Sequence, residues 1–211
     1  MVKPKNQQVC EAILEAAVRL FGEVGYTNST IPMIARAAGT SSSSVYIYFK
    51  SKLEIAFAVY EPWLQQHLSR LEQDLALIPE PRERLRVMLK RIWRDIPTDQ
   101  NCFANNIMQA ISTSTPGAGY RPSILSMLTS KISAIIYANL PSDRRSLRHC
   151  ERTANLIVMA FDGFVINRYL PQHLICDDET IDLFCNAIFL TAANDKLEWL
   201  PAAGRRKSFR S

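Results

Sequence analysis

The sequence has little that would point to a secreted, membrane-spanning or metal-binding protein. It contains no apolar run of the roughly 18 residues that a membrane helix needs, and its most apolar stretch, 156–166, is interrupted by Asp162. No signal-peptide pattern follows Met1. The five cysteines form no C-x-x-C pair and the three histidines are scattered, so neither a disulfide framework nor a metal site is expected. We therefore expect a cytoplasmic protein without metal, cofactor or membrane partner.

Glycine and proline are also sparse, at 7 and 11 of 211 residues, which excludes collagen-like and low-complexity chains. Hydrophobic residues make up 47% and charged residues 21%, as in ordinary globular domains. Apolar residues recur at helical spacing almost throughout, and no segment favours a strand over a helix. The pattern predicts an all-α fold of about nine helices, with a three-helix head at residues 1–50, a longer helical body at 51–200 and a basic, disordered tail at 201–211.

The formal net charge of +5 is concentrated at the two ends of the chain. Residues 1–52 carry six basic and three acidic side chains, and residues 195–211 carry five basic and two acidic ones, whereas the segment between them is nearly neutral. A basic end suggests a polyanionic partner. A merely solubilising surface charge is the alternative that composition leaves open.

A segment near the N-terminus, residues 30–49, has the pattern of a helix-turn-helix motif. Thr30 and Ser41 are N-cap residues for two short helices, and the turn between these helices contains Gly39. In such a motif the second helix enters the major groove of DNA, so its outer face is polar and its inner face is apolar. Val45 and Phe49 supply the inner face, and the serines at 42–44 stand at the start of the outer face.

The same region resembles the DNA-binding domain of the TetR family of regulators. The resemblance rests on residues 12–21 (AILEAAVRLF) followed by Gly25 and Tyr26, on 29–41 (STIPMIARAAGTS) and on 45–52 (VYIYFKSK). It implies a homodimeric repressor with a helix-turn-helix head and a helical body. Such a protein binds double-stranded DNA at a palindromic operator and leaves it when a small-molecule effector binds.

The resemblance also implies roles for individual residues in the head. The recognition helix departs from the family in having no arginine, because Ile47 takes a position that is often arginine or histidine. We therefore expect modest direct reading of bases, with Ile47 against a thymine methyl group and with shape and phosphate contacts contributing more. The implied contacts are phosphate for Thr30 and Lys52, bases or nearby backbone for Ser42, Ser43 and Ser44, and DNA backbone for Tyr46 and Tyr48. A core-edge position for either tyrosine, a plain surface charge for Lys52 and a polar loop for the serines are the alternatives.

The rest of the chain matches the family only in the number, length and order of its helices, and two roles are assigned to it. One is a pocket for a neutral or apolar effector, with Pro62 as a hinge through which effector binding tilts the fourth helix. The other is a dimer face on helices eight and nine. The pocket candidates are Trp63, Leu64, His67, Met88, Ile92, Trp93, Phe103, Asn106, Ile107, Ala110 and Asp162, and the dimer candidates are Ile157, Phe161, Phe164, Val165, Phe184, Ala187, Ile188 and Thr191. For both sets an ordinary protein core is the alternative.

Together these patterns favour a sequence-specific transcriptional repressor that is released by a small, mostly apolar effector. An activator of the same fold and an apolar-ligand carrier with a silent DNA head remain open. An enzyme is disfavoured, because the nucleophile and base candidates Cys102 and His149 lie in no local catalytic signature.

Overall fold

The computed structural model describes residues 5–99, 102–114, 123–167 and 176–193. Within these ranges the chain forms nine α-helices and no β-strand, which confirms the predicted fold class. Shorter turns of π and 3-10 type follow α5 at Arg91–Asp95 and Ile96–Thr98 and precede α8 at Ser142–Arg144. The helices are α1 (Lys5–Asn28), α2 (Ile31–Ala37), α3 (Ser42–Tyr48), α4 (Lys52–Ala76), α5 (Pro81–Lys90), α6 (Phe103–Ser112), α7 (Ser123–Asn139), α8 (Leu147–Asn167) and α9 (Asp178–Ala193).

Capping side chains and glycines set the boundaries of the first four helices. Thr30 and Ser41 cap α2 and α3 by accepting a hydrogen bond from the amide three residues further along, and Ser51 caps α4 in the same way. Gly25 (φ 80°) interrupts α1 near its end, and Gly39 (φ 65°) turns the chain between α2 and α3. Both conformations are left-handed, and only glycine adopts them without a steric cost.

The head (α1–α3) and the body (α4–α9) share one hydrophobic core. α4 joins them as a continuous helix that runs through Pro62. Three rings from different helices are in contact at the junction: Phe21 of α1 lies 6.1 Å from Tyr60 of α4, and Tyr60 lies 5.3 Å from Phe103 of α6, measured between ring centroids. Head and body are therefore connected by packing as well as by the chain.

The body is held together around Trp93, which follows α5. Its indole Nε1 donates a 2.9 Å hydrogen bond to the carbonyl of Ile157 on α8, and its ring contacts Phe164 and Phe184 on α8 and α9. Among the described residues, no helix is both long and apolar enough to cross a membrane. The tail predicted at 201–211 lies outside the described residues.

Candidate nucleic-acid interface

The outer face of α3 carries the most exposed large hydrophobic side chains of the helix-turn-helix motif. Val45 is fully buried and Phe49, which follows the helix, is 7% exposed, so this side of α3 faces the core as predicted. On the opposite side Tyr46 is 56% exposed and Ile47 is 79% exposed. An apolar side chain gains nothing from water at such a position.

The serines before and within α3 are hydrogen-bonded to one another. The Ser41 hydroxyl accepts from the Ser44 amide at 3.1 Å and lies 2.8 Å from the Ser43 hydroxyl and 2.9 Å from the Ser44 hydroxyl. Ser42 and Ser44 are half-buried, and Ser43 is exposed. Of the three serines predicted to contact DNA, Ser43 is therefore the most accessible.

Two further predicted DNA contacts differ in accessibility. Thr30 is exposed at the start of α2, where its hydroxyl also caps the helix. Tyr48 is half-buried and packs against the hydrophobic core. Its ring therefore has the core-edge position that was the alternative to a backbone contact.

The structure revises the role predicted for Lys52, because its ammonium group is engaged inside the head. The Nζ atom donates to the carbonyls of Tyr26 and Ser29, both at 2.7 Å, and lies 3.4 Å from the carbonyl of Thr27. It also lies 4.2 Å from the centre of the Tyr26 ring, and burial lowers the pKa of the Lys52 ammonium. The end of α1 has no basic residue of its own, so Lys52 supplies the positive charge that helix carbonyls favour. This geometry supports an anchoring role rather than a phosphate contact.

Asn106 of α6 reaches from the body into the end of α1. Its Oδ1 accepts from the amide of Tyr26 at 2.8 Å, and its Nδ2 donates to the carbonyl of Phe21 at 2.9 Å. The side chain is fully buried. Asn106 was predicted to orient a ligand, but both ends of its amide are committed to the backbone on either side of the kink at Gly25.

Gln109, one turn further along α6, adds a second link to α1. Its Oε1 accepts hydrogen bonds from the amide and the hydroxyl of Thr27, each at 3.0 Å. Sequence reasoning missed this residue, because nothing in the spacing of the motif shows which body helix touches α1. We call Asn106 and Gln109 the head–body latch.

Residues 13–59, which include the helix-turn-helix motif, match the family model "Bacterial regulatory proteins, tetR family". This match identifies a TetR-family DNA-binding domain in the head of the chain. The prediction that the chain is not an enzyme agrees with this match, because the family model describes regulatory proteins.

Two curated relatives illustrate how far the sequence similarity extends. The chain is 29% identical over 99 residues to the fatty acid metabolism regulator protein of Bacillus subtilis, a match that covers 47% of this chain and 49% of the relative. It is 36% identical over 73 residues to the HTH-type transcriptional regulator HbdR of an Aromatoleum species, covering 35% of this chain and 32% of the relative. The chain thus spans about half or less of the length of these relatives.

Solved structures of TetR-like regulators share the fold over nearly their whole length. The transcriptional regulator FadR from Bacillus subtilis, in complex with stearoyl-CoA, aligns with a TM-score of 0.65 and 19% identity over 85% of this chain and 97% of that one. AibR, in complex with isovaleryl coenzyme A and operator DNA, aligns with a TM-score of 0.56 and 18% identity over 86% and 98%. At this level of identity the comparison establishes the architecture of head and body.

In the body, most residues predicted to line a pocket are buried or stacked on one another. Trp63 stacks on His67 at 3.6 Å and on Phe103 at 4.2 Å between ring centroids. The other candidates are Asp162, which lies on the exposed side of α8 where partial desolvation raises its pKa, and the buried residues Leu64, Met88, Ile92, Trp93, Ile107 and Ala110. The three rings therefore form a compact aromatic cluster, which we define as Trp63, His67 and Phe103.

The Tyr60 hydroxyl beside this aromatic cluster is unusual. It is a buried side-chain oxygen that completes no hydrogen bond within the described residues, and burial raises its pKa. The amide of Asn106 lies near enough to oppose that shift without completing the bond. Because an unsatisfied buried hydroxyl is destabilising, Tyr60 is a polar group for which a bound molecule could provide a partner.

An open groove of about 670 Å³ lies elsewhere in the body, between α7 and α8. Its walls combine hydroxyl groups with apolar side chains, including Thr129, Ser133, Tyr137 and Leu147. None of the predicted pocket residues lines this groove.

The predicted dimer residues on α8 and α9 mostly face the core of their own protomer. Ile157, Phe161, Val165 and Ile188 are each 8% exposed or less, whereas Phe164, Phe184 and Ala187 are half-buried and Thr191 is exposed. The buried members cannot contact a partner, because their own protomer covers them. The sequence pattern selected them because α8 is apolar on two faces. Both helices also carry large apolar side chains that are each at least 54% exposed, and we call this set the exposed apolar face: Leu156, Met159 and Ile166 on α8 and Leu183 and Leu190 on α9.

Proposed function

We propose that this chain is a sequence-specific DNA-binding transcriptional regulator whose recognition helix is α3. The observation that carries the proposal is the exposure of Tyr46 and Ile47 on a capped, seven-residue α3 within a TetR-family head. The opposite side of this short helix is anchored by Val45. A rigid helix whose outer face is solvent-exposed can enter a major groove without rearrangement.

The regulator acts as a homodimer. The exposed apolar face of α8 and α9 supports this step, because five large apolar side chains that are each at least 54% exposed are typical of a protein interface. Two copies related by a two-fold axis would bring these helices together as a four-helix contact. Two heads in fixed relation then match the two halves of a palindromic operator.

The effector is a small, mostly apolar molecule that binds at the aromatic cluster. The unsatisfied Tyr60 hydroxyl supplies a polar group for orientation, and Trp63 and His67 supply half-buried ring faces beside it. The structures of FadR and AibR contain stearoyl-CoA and isovaleryl coenzyme A. The acyl chain is the apolar part of these two ligands, so compounds that carry an acyl chain, acyl-CoA thioesters among them, are the first effectors to test.

Effector binding reaches DNA through the head–body latch. Phe103 of the aromatic cluster lies one turn before Asn106 on α6, so a molecule that displaces Phe103 also displaces the side chain that holds Tyr26 and Phe21. The head–body latch then has two arrangements, and the effector binds one more tightly while the operator binds the other more tightly. Release of DNA by the effector requires this difference in affinity. In this scheme the protein is a repressor.

Selection of random duplex DNA by the purified protein tests the proposal. Enrichment of a palindrome is expected, with loss of enrichment in Tyr46→Ala and full enrichment in Leu77→Ala, which changes an even more exposed side chain in the body. Acyl-CoA thioesters are then added to the complex, and release is measured by fluorescence anisotropy. If a folded protein enriches no sequence, the regulator proposal fails and the carrier with a silent head replaces it. Transcription in vitro from a promoter that overlaps the palindrome separates a repressor from an activator.

A further inference from the structure

The surface of the head that would enter a DNA groove has no cation. Between Arg36 of α2 and Lys50 after α3, the sequence contains neither lysine nor arginine. Arginine and lysine make the commonest specific base contact, a bidentate pair of hydrogen bonds to guanine. α3 therefore has no side chain for that contact.

The hydroxyl groups of α3 are also poorly suited to distinguishing bases. Ser43 and Ser44 are already hydrogen-bonded to Ser41 at 2.8 and 2.9 Å. A hydroxyl can donate or accept a hydrogen bond, so it can pair with either an acceptor or a donor on a base edge. Reading by these serines would replace existing hydrogen bonds and would discriminate weakly.

Ile47 is the remaining feature with distinct chemistry. At 79% it is more exposed than any other large hydrophobic residue of the head, where Tyr46 follows at 56% and Val24 at 39%. The α3 backbone at this position is fixed, because Val45 is fully buried two residues earlier and Phe49 is 7% exposed two residues later. Ile47 is therefore an apolar group held in place on the outer face of α3.

The major groove offers one apolar group, the C5 methyl of thymine. We propose that Ile47 is a specificity-determining residue that reads this methyl group, so that each half of the operator contains a thymine opposite Ile47. The inference rests on the proposed DNA-binding function and adds the chemical class that the site recognises. Contact between two apolar groups removes both from water, so losing the contact lowers the binding affinity without any change in hydrogen bonding.

Replacing thymine by deoxyuridine in the selected operator, one position at a time, tests the proposal. Deoxyuridine pairs as thymine does and lacks only the methyl group. Wild-type protein should lose roughly fourfold in affinity when the contacted thymine is replaced in one half-site, and roughly 15-fold when it is replaced in both half-sites. 5-Bromouracil, which places a bulky apolar atom at C5, should restore most of the affinity.

The variant Ile47→Ala identifies the residue responsible. It should bind the thymine operator about as weakly as wild type binds the uracil operator, and it should be indifferent to the substitution. Leu77→Ala removes an apolar side chain that is 84% exposed in the body. This variant should lose as much affinity as wild type when thymine is replaced by deoxyuridine. Because Ile47 lies outside the core, thermal unfolding of Ile47→Ala should match wild type.

Two results would overturn the inference. In one, wild type binds its palindrome specifically but is insensitive to uracil at every position. In the other, Ile47→Ala retains the uracil penalty, so another residue contacts the methyl group. Both leave DNA binding intact, whereas failure of the selection to enrich any sequence removes the proposed function itself.

Discussion

The side chain of Asn106 in α6 and the backbone of Tyr26 at the end of α1 are joined by a 2.8 Å hydrogen bond between residues 80 positions apart. The same amide donates to the carbonyl of Phe21, so one buried side chain bridges the kink at Gly25. Lys52 holds the other side of this segment through the carbonyls of Tyr26 and Ser29. The end of α1 is thus held by two contacts, one with Asn106 of α6 and one with Lys52 in the first turn of α4.

Removing Asn106 from the head–body latch should loosen the end of α1 without unfolding α6. Asn106→Ala leaves the Tyr26 amide and the Phe21 carbonyl without this partner, and we expect a loss of about 2–3 kcal/mol in the free energy of unfolding, measured with urea. Hydrogen exchange should rise at the amides near 25–29 more than elsewhere. Ser112→Ala, an exposed change on the same helix, should alter neither quantity. An unchanged exchange rate at the end of α1 would show that Asn106 does not hold it.

Two glycines of α1 should respond oppositely to alanine. Gly25 has φ +80°, a backbone conformation in which an L side chain is strained, so Gly25→Ala should cost about 1–2 kcal/mol. At Gly22 no atom lies within 4 Å of an added Cβ, so Gly22→Ala should stabilise the helix by about 0.5–1 kcal/mol. Thermal unfolding of both variants checks the pair. Equal effects would argue against a left-handed kink at Gly25.

Lys52 should affect stability rather than phosphate binding. Lys52→Met removes the hydrogen bonds to the carbonyls of Tyr26 and Ser29, and we expect a loss of about 2 kcal/mol. The slope of log Kd against log salt for operator binding should stay as in wild type. A slope reduced by about 0.9 per subunit would instead indicate a phosphate contact. Lys50→Met, an exposed change two residues earlier, should leave the stability unchanged.

The sequence predicts the head better than the body, and the reason is the range of the interactions. The Ser41 cap, the Gly39 turn and the buried Val45 depend on neighbours within a few residues, so their pattern is visible in the chain. The contact between Asn106 and Tyr26 requires knowledge of which helix lies against α1. Spacing cannot supply that knowledge, and for this reason Asn106 was assigned to a pocket.

The faces of α8 show a second limit of sequence patterns. Leu156 and Ile157 are adjacent and equally apolar, yet Leu156 is 57% exposed and Ile157 is fully buried. When a helix is apolar on two sides, periodicity identifies both faces and cannot decide which one packs on its own protomer. Half of the residues predicted for the dimer face are for this reason buried in the core of their own protomer.

The exposed apolar face of α8 and α9 provides the test of dimerisation. Met159 is 68% exposed, so Met159→Asp should leave the fold intact and place a charge in the proposed interface. We expect dimerisation to weaken by at least about 2 kcal/mol, roughly a 30-fold higher Kd, in sedimentation equilibrium. Leu77→Asp, at a residue of similar exposure outside this face, should dimerise as wild type does. Operator binding should weaken in parallel with dimerisation, because a single head contacts only half of a palindrome. A Met159→Asp protein that remains dimeric would place the interface on another surface.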